Sequence, residues 1–300
     1  MQIVPKIDIH VHCNPFPQYG LTNRVGRRWI SPEDLIARYD KLHVQLGVLQ
    51  AIAAPEDHYD QLCSFTVQYT ADKYPDRFIW FAGLDPRAVD NASTSDLTDI
   101  LRQYRALGAK GVGELTANLW ADDPLIDNLF YYCGEEDMPI TIHVSPKQYG
   151  FYGLADDIGL PRLEKMLKRY PKTKIFGHSQ LFWAEMSGEV DAITRTDYPK
   201  GPITKEGRIS KIMRACPNLY CDVSARSGMN AFTRDPKYTY RFIEEFSDRI
   251  MWGTDYCEPD VTYPFEFDEF LTSSVERGDI SFENYYKIVR GNAERLLHLS

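Results

Sequence analysis

IDIHVHCNP, residues 7–15, joins a β-type apolar run to two histidines one residue apart and then stops at a proline. Side chains two apart on a strand share a face, so His10 and His12 point the same way if the run is a strand. Two imidazoles at a strand's carboxyl end gain meaning only in a fold where several such ends converge. The rest of the chain decides whether that fold is present.

Working outward, β-rich runs recur at 3–10, 44–53, 78–84, 108–115, 139–144, 173–178, 218–224 and 249–255, eight in all. Helical windows lie between them. In SPEDLIARYDKLHV, Ser31 reads as an N-cap, Pro32 as the first helical residue and Asp34 as an acid in the first turn. STSDLTDILRQYRALG ends on Gly108, LPRLEKMLKRYP stops at Pro171, and SFENYYKIVRGNAERLLHL closes the chain with apolar residues at helical spacing. Strict alternation of strand and helix implies a parallel sheet with helical crossovers. Eight such units in 300 residues match a (β/α)₈ TIM barrel forming one domain over 1–300. A doubly wound open sheet is the alternative, but it often carries a glycine-rich phosphate loop, and no GxGxxG or Walker motif occurs. The polar segment 182–207 is longer than an ordinary connection and reads as a loop insertion at the barrel mouth.

Apolar residues make up 43% of the chain, enough for a sizeable core, and the net charge is −9. With no basic run, that charge argues against a nucleic-acid partner. The N-terminus has no apolar signal segment, and no stretch approaches the roughly 18 apolar residues of a membrane span. The six cysteines form no CxxC. A reduced, cytoplasmic protein acting on a small molecule, away from membranes, is expected.

On this plan His10 and His12 end the first strand, Glu114 the fourth, His143 the fifth, His178 the sixth and Asp255 the eighth. All fall at carboxyl ends, the face where barrel active sites are built. One histidine after a strand is usually just a satisfied polar residue. Four of the chain's seven at the correct ends of three strands form a ligand set for Zn²⁺ or a similar divalent ion. His43, His58 and His298 fall elsewhere and take surface or packing roles. Cys13 and Cys257 flank the motifs as small packing residues.

The segments DIHVH, ISPEDLIARYDKLHVQLGVLQAI, ITIHVS, KIFGHSQ, MWGTDY and IVRGNAERLLHL together resemble the amidohydrolase superfamily, in its amidohydrolase-2 branch. That branch also contains aminocarboxymuconate-semialdehyde decarboxylase. The resemblance implies a distorted (β/α)₈ barrel holding one or two divalent metals, with His10, His12, His143 and Asp255 as ligands. It makes His178 either a ligand of a second metal or the group that polarises the substrate. In KGVGEL, strand alternation places Lys110, Val112 and Glu114 inward, with Gly111 and Gly113 toward the helices. Glu114 resembles the carboxylate that bridges two metals in binuclear members; its other reading is a partner that orients a ligand histidine.

Two chemistries follow. A metal-activated water, with Asp255 as general base and acid, hydrolyses an amide, lactone or ester; this is the main expectation. The alternative is non-oxidative decarboxylation of an aromatic or unsaturated carboxylic acid. The family resemblance favours hydrolysis through His10, because several aromatic-acid decarboxylases of the branch carry an acid there, although the aminocarboxymuconate type keeps HxH. Arg24, Arg27, Arg28 and Arg226 are candidate carboxylate clamps, or else solvated surface charges. Trp183 is a candidate substrate contact among the loop aromatics Trp29, Trp120, Tyr149, Phe151, Tyr152, Phe182, Tyr256 and Tyr263. The same rings suit loop packing or a homodimer interface equally well. A barrel that keeps metal only for structure is disfavoured, since packing needs none of these groups.

Overall fold

The computed structural model describes residues 2–23, 25–60 and 62–299, without the side chains of 58–60; Arg24 and the side chain of His58 therefore lie outside the described residues. Strands β1 (Lys6–Val11), β2 (Val44–Leu49), β3 (Phe78–Trp80), β4 (Val112–Leu115), β5 (Ile140–Ser145), β6 (Leu154–Ala155), β7 (Ile175–His178), β8 (Leu219–Val223) and β9 (Ile250–Trp252) pair in parallel. Each strand expected from the sequence overlaps one of these, and only the two-residue β6, an appendage of β5, is additional.

Helices alternate with them: α1 (Pro32–Leu42), α2 (Ser64–Lys73), α3 (Thr98–Ala106), α4 (Pro124–Glu135), α5 (Pro161–Arg169), α6 (Gln180–Ala184), α7 (Arg208–Ala215), α8 (Ala225–Thr233), α9 (Pro236–Phe246) and α10 (Tyr263–Glu276). The C-terminal helix runs from α11 (Phe282–Tyr286) through a wider π turn into α12 (Asn292–Leu296). Local chemistry sets the ends. The Ser31 hydroxyl accepts the Asp34 N–H at the start of α1, and Gly108 takes a left-handed φ of +99° just past α3.

The barrel is distorted. β1-β2-β3 form one sheet and β4-β5-β7-β8-β9 another, joined by a single parallel bridge between Ala82 and Val112. At the other seam the Asp255 N–H donates to the His10 carbonyl (2.8 Å) and the His12 N–H to the Tyr256 carbonyl (2.9 Å). Ile7, Ile9, Val48, Phe81, Phe176 and Met251 fill the interior together with Ala293, Leu296 and Leu297 from the chain end, which closes the barrel opposite its mouth. A larger apolar cluster binds the outward strand residues to the helices.

Two strands break alternation just where site residues emerge. Asp8 to Val11 spans three residues against two on β2, and Val112 to Leu115 spans three against two on β5. One extra residue reverses which face the following side chains take. Ile9 can thus fill the interior while its neighbour His10 turns into the mouth. The inward reading of Val112 is corrected by the same effect. Val112 packs in the outer cluster, whereas a Cβ at Gly111 would strike the interior Phe81 ring at 2.5 Å. Glu114 still reaches the mouth, because the bulge lies between it and Val112.

Segment 182–207 begins inside α6, is pinned by an antiparallel bridge between Ser187 and Glu206, and carries Thr196 and Tyr198 to the mouth. No described helix is long and apolar enough to cross a membrane.

Candidate metal centre

Four histidines and three carboxylates converge at the mouth. His10 Nε2 lies 3.0 Å from His12 Nε2, 3.6 Å from Glu114 Oε2 and 3.7 Å from Asp255 Oδ1. His12 Nε2 lies 3.4 Å from Glu114 and 3.5 Å from Asp255, and His178 Nε2 lies 3.8 and 3.9 Å from the same two carboxylates. Two sets of donor atoms are mutually within 4.8 Å: His10, Glu114 and His178, and His10, His12 and Asp255.

The second nitrogen of each converging ring is held. His10 Nδ1 meets Asp222 Oδ2 at 2.6 Å, His12 Nδ1 the Gln50 carbonyl at 3.0 Å, and His178 Nδ1 the Ser224 hydroxyl at 2.9 Å. A donating Nδ1–H leaves the Nε2 lone pair facing the cluster, which is how ligand histidines are prepared. His143 stands apart: its Nδ1 is 2.7 Å from Glu114 Oε1, its ring packs against Tyr152, and it joins neither donor set. Glu114 therefore touches both the converging histidines and His143, the position from which it could serve one ion or two.

Asp222 and Ser224 went unremarked in the sequence, although alternation in NLYCDVS gives the signal. Leu219, Cys221 and Val223 pack outward, which leaves Tyr220, Asp222 and Ser224 facing in.

The electrostatics call for a cation. Glu114 and Asp222 are buried, no lysine or arginine pairs with them among the described residues, and burying such charge without compensation is costly. Burial alone would depress the His10 imidazolium, but Asp222 and Glu114 outweigh it and raise its pKa well above the ordinary histidine range. Burial likewise opposes ionisation of Glu114, yet His143 and His10 hold its carboxyl well below the usual range. His178, lowered first by burial and then by His10, sits at about 4 and stays neutral. Imidazole nitrogens and carboxylates so arranged fit a divalent ion, which would displace the His10 proton.

The mouth opens into two lobes of about 280 and 340 Å³, near the small end for small-molecule sites. His143, Tyr152, His178 and Asp255 border both. One lobe is lined further by Phe151, Ser179, Gln180, Tyr198, Ala225 and Ser227, the other by Asn23, Trp29, Ile52, Asp57, Cys257 and Glu258. Of the nine loop aromatics named from the sequence, Trp29, Phe151 and Tyr152 line them, and Tyr198 of segment 182–207 joins these. Trp183 does not: it is buried, donating its indole N–H to the Asp222 carbonyl (3.1 Å), and so braces the site from behind. Arg28 is exposed and lines neither lobe, and Arg27 pairs with Glu258 at the surface.

No curated protein matches the chain. Solved structures do, over its whole length. A 2,6-dihydroxybenzoate decarboxylase from Rhizobium is 16% identical with a TM-score of 0.61, covering 99% of both chains. A TIM-barrel protein from Bordetella bronchiseptica is 17% identical with a TM-score of 0.64, covering 98% of this chain and 99% of that one. A dihydroxybenzoic acid decarboxylase from Polaromonas, with bound manganese and the inhibitor 2-nitroresorcinol, is 17% identical with a TM-score of 0.58, covering 99% and 98%. The Rhizobium and Polaromonas neighbours correct the expectation of a hydrolase, since the activity each is named for is a decarboxylation. The physical reason is that His10 was a poor discriminator. An imidazole ligand helps to hold an ion whether that ion then activates water or grips a carboxylate. Matching the family model over residues 7–299, nearly its full length, the chain belongs to the amidohydrolase family, in its amidohydrolase-2 branch.

Proposed function

We propose that the protein is a metal-dependent, non-oxidative decarboxylase of a small aromatic or unsaturated carboxylic acid. The observation that carries this reading is the position of Asp255. Its carboxylate belongs to the donor cluster and also borders both lobes, with its side chain 23% exposed. A group so placed can meet a substrate carbon while the acid on that carbon is held at the cluster.

His10, His12, Glu114, His178 and Asp255 would hold the ion, with His143 reached through Glu114. When bound, the ion supplies positive charge that fixes and desolvates the substrate carboxylate. Manganese, present in the Polaromonas neighbour, and zinc both suit this nitrogen and oxygen set.

The proton path then uses the chain's own residues. Asp255, which starts as a carboxylate, first takes up a proton from solvent and then delivers it to the carbon bearing the substrate carboxylate. The bond to the carboxyl carbon breaks, its electron pair returns to the conjugated system, CO₂ departs, and Asp255 is reprotonated from solvent. His178, kept neutral by burial and oriented by Ser224, keeps its Nε2 lone pair toward the cluster and does not compete for the proton. Trp29, Phe151 and Tyr152 give a planar substrate apolar walls.

The test is a panel of aromatic and conjugated carboxylic acids assayed for CO₂ release by the metal-loaded protein. Release from at least one member, abolished by chelation, supports the reading. Absence of release across the panel, with metal bound, counts against it.

A further inference from the structure

The donor cluster straddles a seam of the barrel. His10 and His12 belong to β1 and Asp255 follows β9, and these two strands share no ladder among the described residues. Backbone hydrogen bonds cross the seam from Asp255 to His10 and from His12 to Tyr256. The Nε2 atoms of His10 and His12 nevertheless lie 3.7 and 3.5 Å from the same Asp255 oxygen. A working constellation tolerates displacements of only about 0.5 Å, so the two strand ends need a further tie.

Asp8 spans that seam. It is fully buried, and its carboxylate accepts four hydrogen bonds. Oδ1 takes the backbone N–H of His10 (3.1 Å) and of Thr254 (2.9 Å), while Oδ2 takes the hydroxyls of Tyr39 (2.7 Å) and Thr254. One side chain thus grips the backbone of a donor on β1 and of the residue just before Asp255. The grip extends past Asp255, because the Thr254 hydroxyl also accepts the Tyr256 N–H (3.2 Å). Asp255 itself has a left-handed φ of +52°, a conformation that persists where the surroundings enforce it. On β1, the His10 N–H that Asp8 takes lies inside the bulge that turns His10 into the mouth. Packing alone does not explain Asp8. An apolar side chain would fill the space without burying a charge, and no lysine or arginine pairs with Asp8 among the described residues. Asp8 also belongs to neither donor set.

We propose that Asp8 is a positioning residue of the metal centre. Acting through Thr254 and the His10 backbone, it fixes the Asp255 carboxylate against the two β1 imidazoles. This rests on the metal centre of the proposed function and on no choice of reaction.

The test loads the protein with cobalt(II), whose visible absorption reports the arrangement of its ligands, and measures affinity by chelator competition. Thr254→Val and Tyr39→Phe each remove one hydroxyl from the same Asp8 oxygen, but only Thr254 adjoins a donor. Thr254→Val should lose about tenfold in cobalt affinity and shift the spectrum, as expected for a group that orients ligands. Tyr39→Phe should leave both close to those of the parent protein, whatever each change costs in thermal midpoint. Asp8→Asn can keep its oxygen on the two N–H groups while its amide donates to hydroxyls turned to accept, so it should retain the parent spectrum. Asp8→Ala should shift the spectrum as Thr254→Val does; if it fails to fold, the Thr254→Val and Tyr39→Phe pair decides. Parent affinity and spectrum in Thr254→Val, or equal shifts in Thr254→Val and Tyr39→Phe, overturns the role. So does an Asp8→Asn protein as impaired as Asp8→Ala, which would make charge and not geometry the cause. Failure of the parent protein to take up cobalt would overturn the metal centre and this role with it. The expected variant pattern without CO₂ release from any acid would support the role and remove only the decarboxylase reading.

Discussion

Asp222 Oδ2 and His10 Nδ1 lie 2.6 Å apart in a fully buried contact that joins β8 to β1 across the barrel. The contact sets the His10 tautomer and aims Nε2 at the cluster. Asp222→Asn keeps the volume but removes the charge and can present an N–H to Nδ1, which puts the ring proton on Nε2 and takes its lone pair from the cluster. Metal affinity should fall about 10- to 100-fold while cooperative unfolding persists. Chelator competition measures the first and thermal melting the second. Unchanged affinity would take Asp222 out of the orienting role.

Metal uptake should release protons in a defined number. In metal-free protein at pH 7, His10 is protonated, because Asp222 and Glu114 raise it well above the ordinary histidine range against the effect of burial. His178, at about 4, is already neutral. A bound ion needs the His10 lone pair free, so binding at pH 7 displaces the His10 proton. Affinity should therefore weaken as pH falls, by about tenfold per unit for the His10 proton alone. Calorimetry in buffers of different ionisation enthalpy counts the protons; a count of zero would mean that His10 is neutral beforehand.

Much of this site was legible in the sequence, because strand ends in a parallel barrel lie on one face. HVH, His143, His178 and Asp255 needed only element order to be placed together. What failed was finer. Strict alternation turned Val112 inward, since a bulge leaves no mark in VGEL that period-two reasoning can see. Trp183 looked like a substrate contact because it follows a strand, yet the short α6 buries it behind the Asp222 carbonyl. Hydrolysis was favoured from a ligand that both chemistries use. Asp222 has a regular alternation that gives its inward face, but it lies one layer below the strand end, where position alone does not mark a site residue.

Asp255→Asn should separate binding from proton delivery. The amide keeps an oxygen near His10 and His12 but carries no transferable acid proton. CO₂ release should fall by about 10²- to 10⁴-fold, the usual scale for losing a general acid. The melting transition should remain, and any loss of metal content, read by elemental analysis, would be credited separately to its ligand role. Turnover close to that of the parent protein would assign the proton to another group.

Gly177 shows how tightly the strand behind His178 is packed. A Cβ there would come within 2.3 Å of the Phe182 ring, which is buried on α6. The ring cannot retreat freely, because its backbone N–H bonds the Ser179 hydroxyl (3.2 Å) and that hydroxyl bonds the Val144 carbonyl on β5 (3.0 Å). Gly177→Ala should therefore cost about 1–3 kcal/mol of stability. Phe182→Leu alone should also destabilise, by leaving space in the outer cluster. Together the two should cost less than the sum of their separate effects, because the smaller side chain makes room for the new methyl. Denaturant unfolding of the four proteins in this cycle measures the coupling. Strict additivity would show that the glycine is required for some reason other than the Phe182 ring.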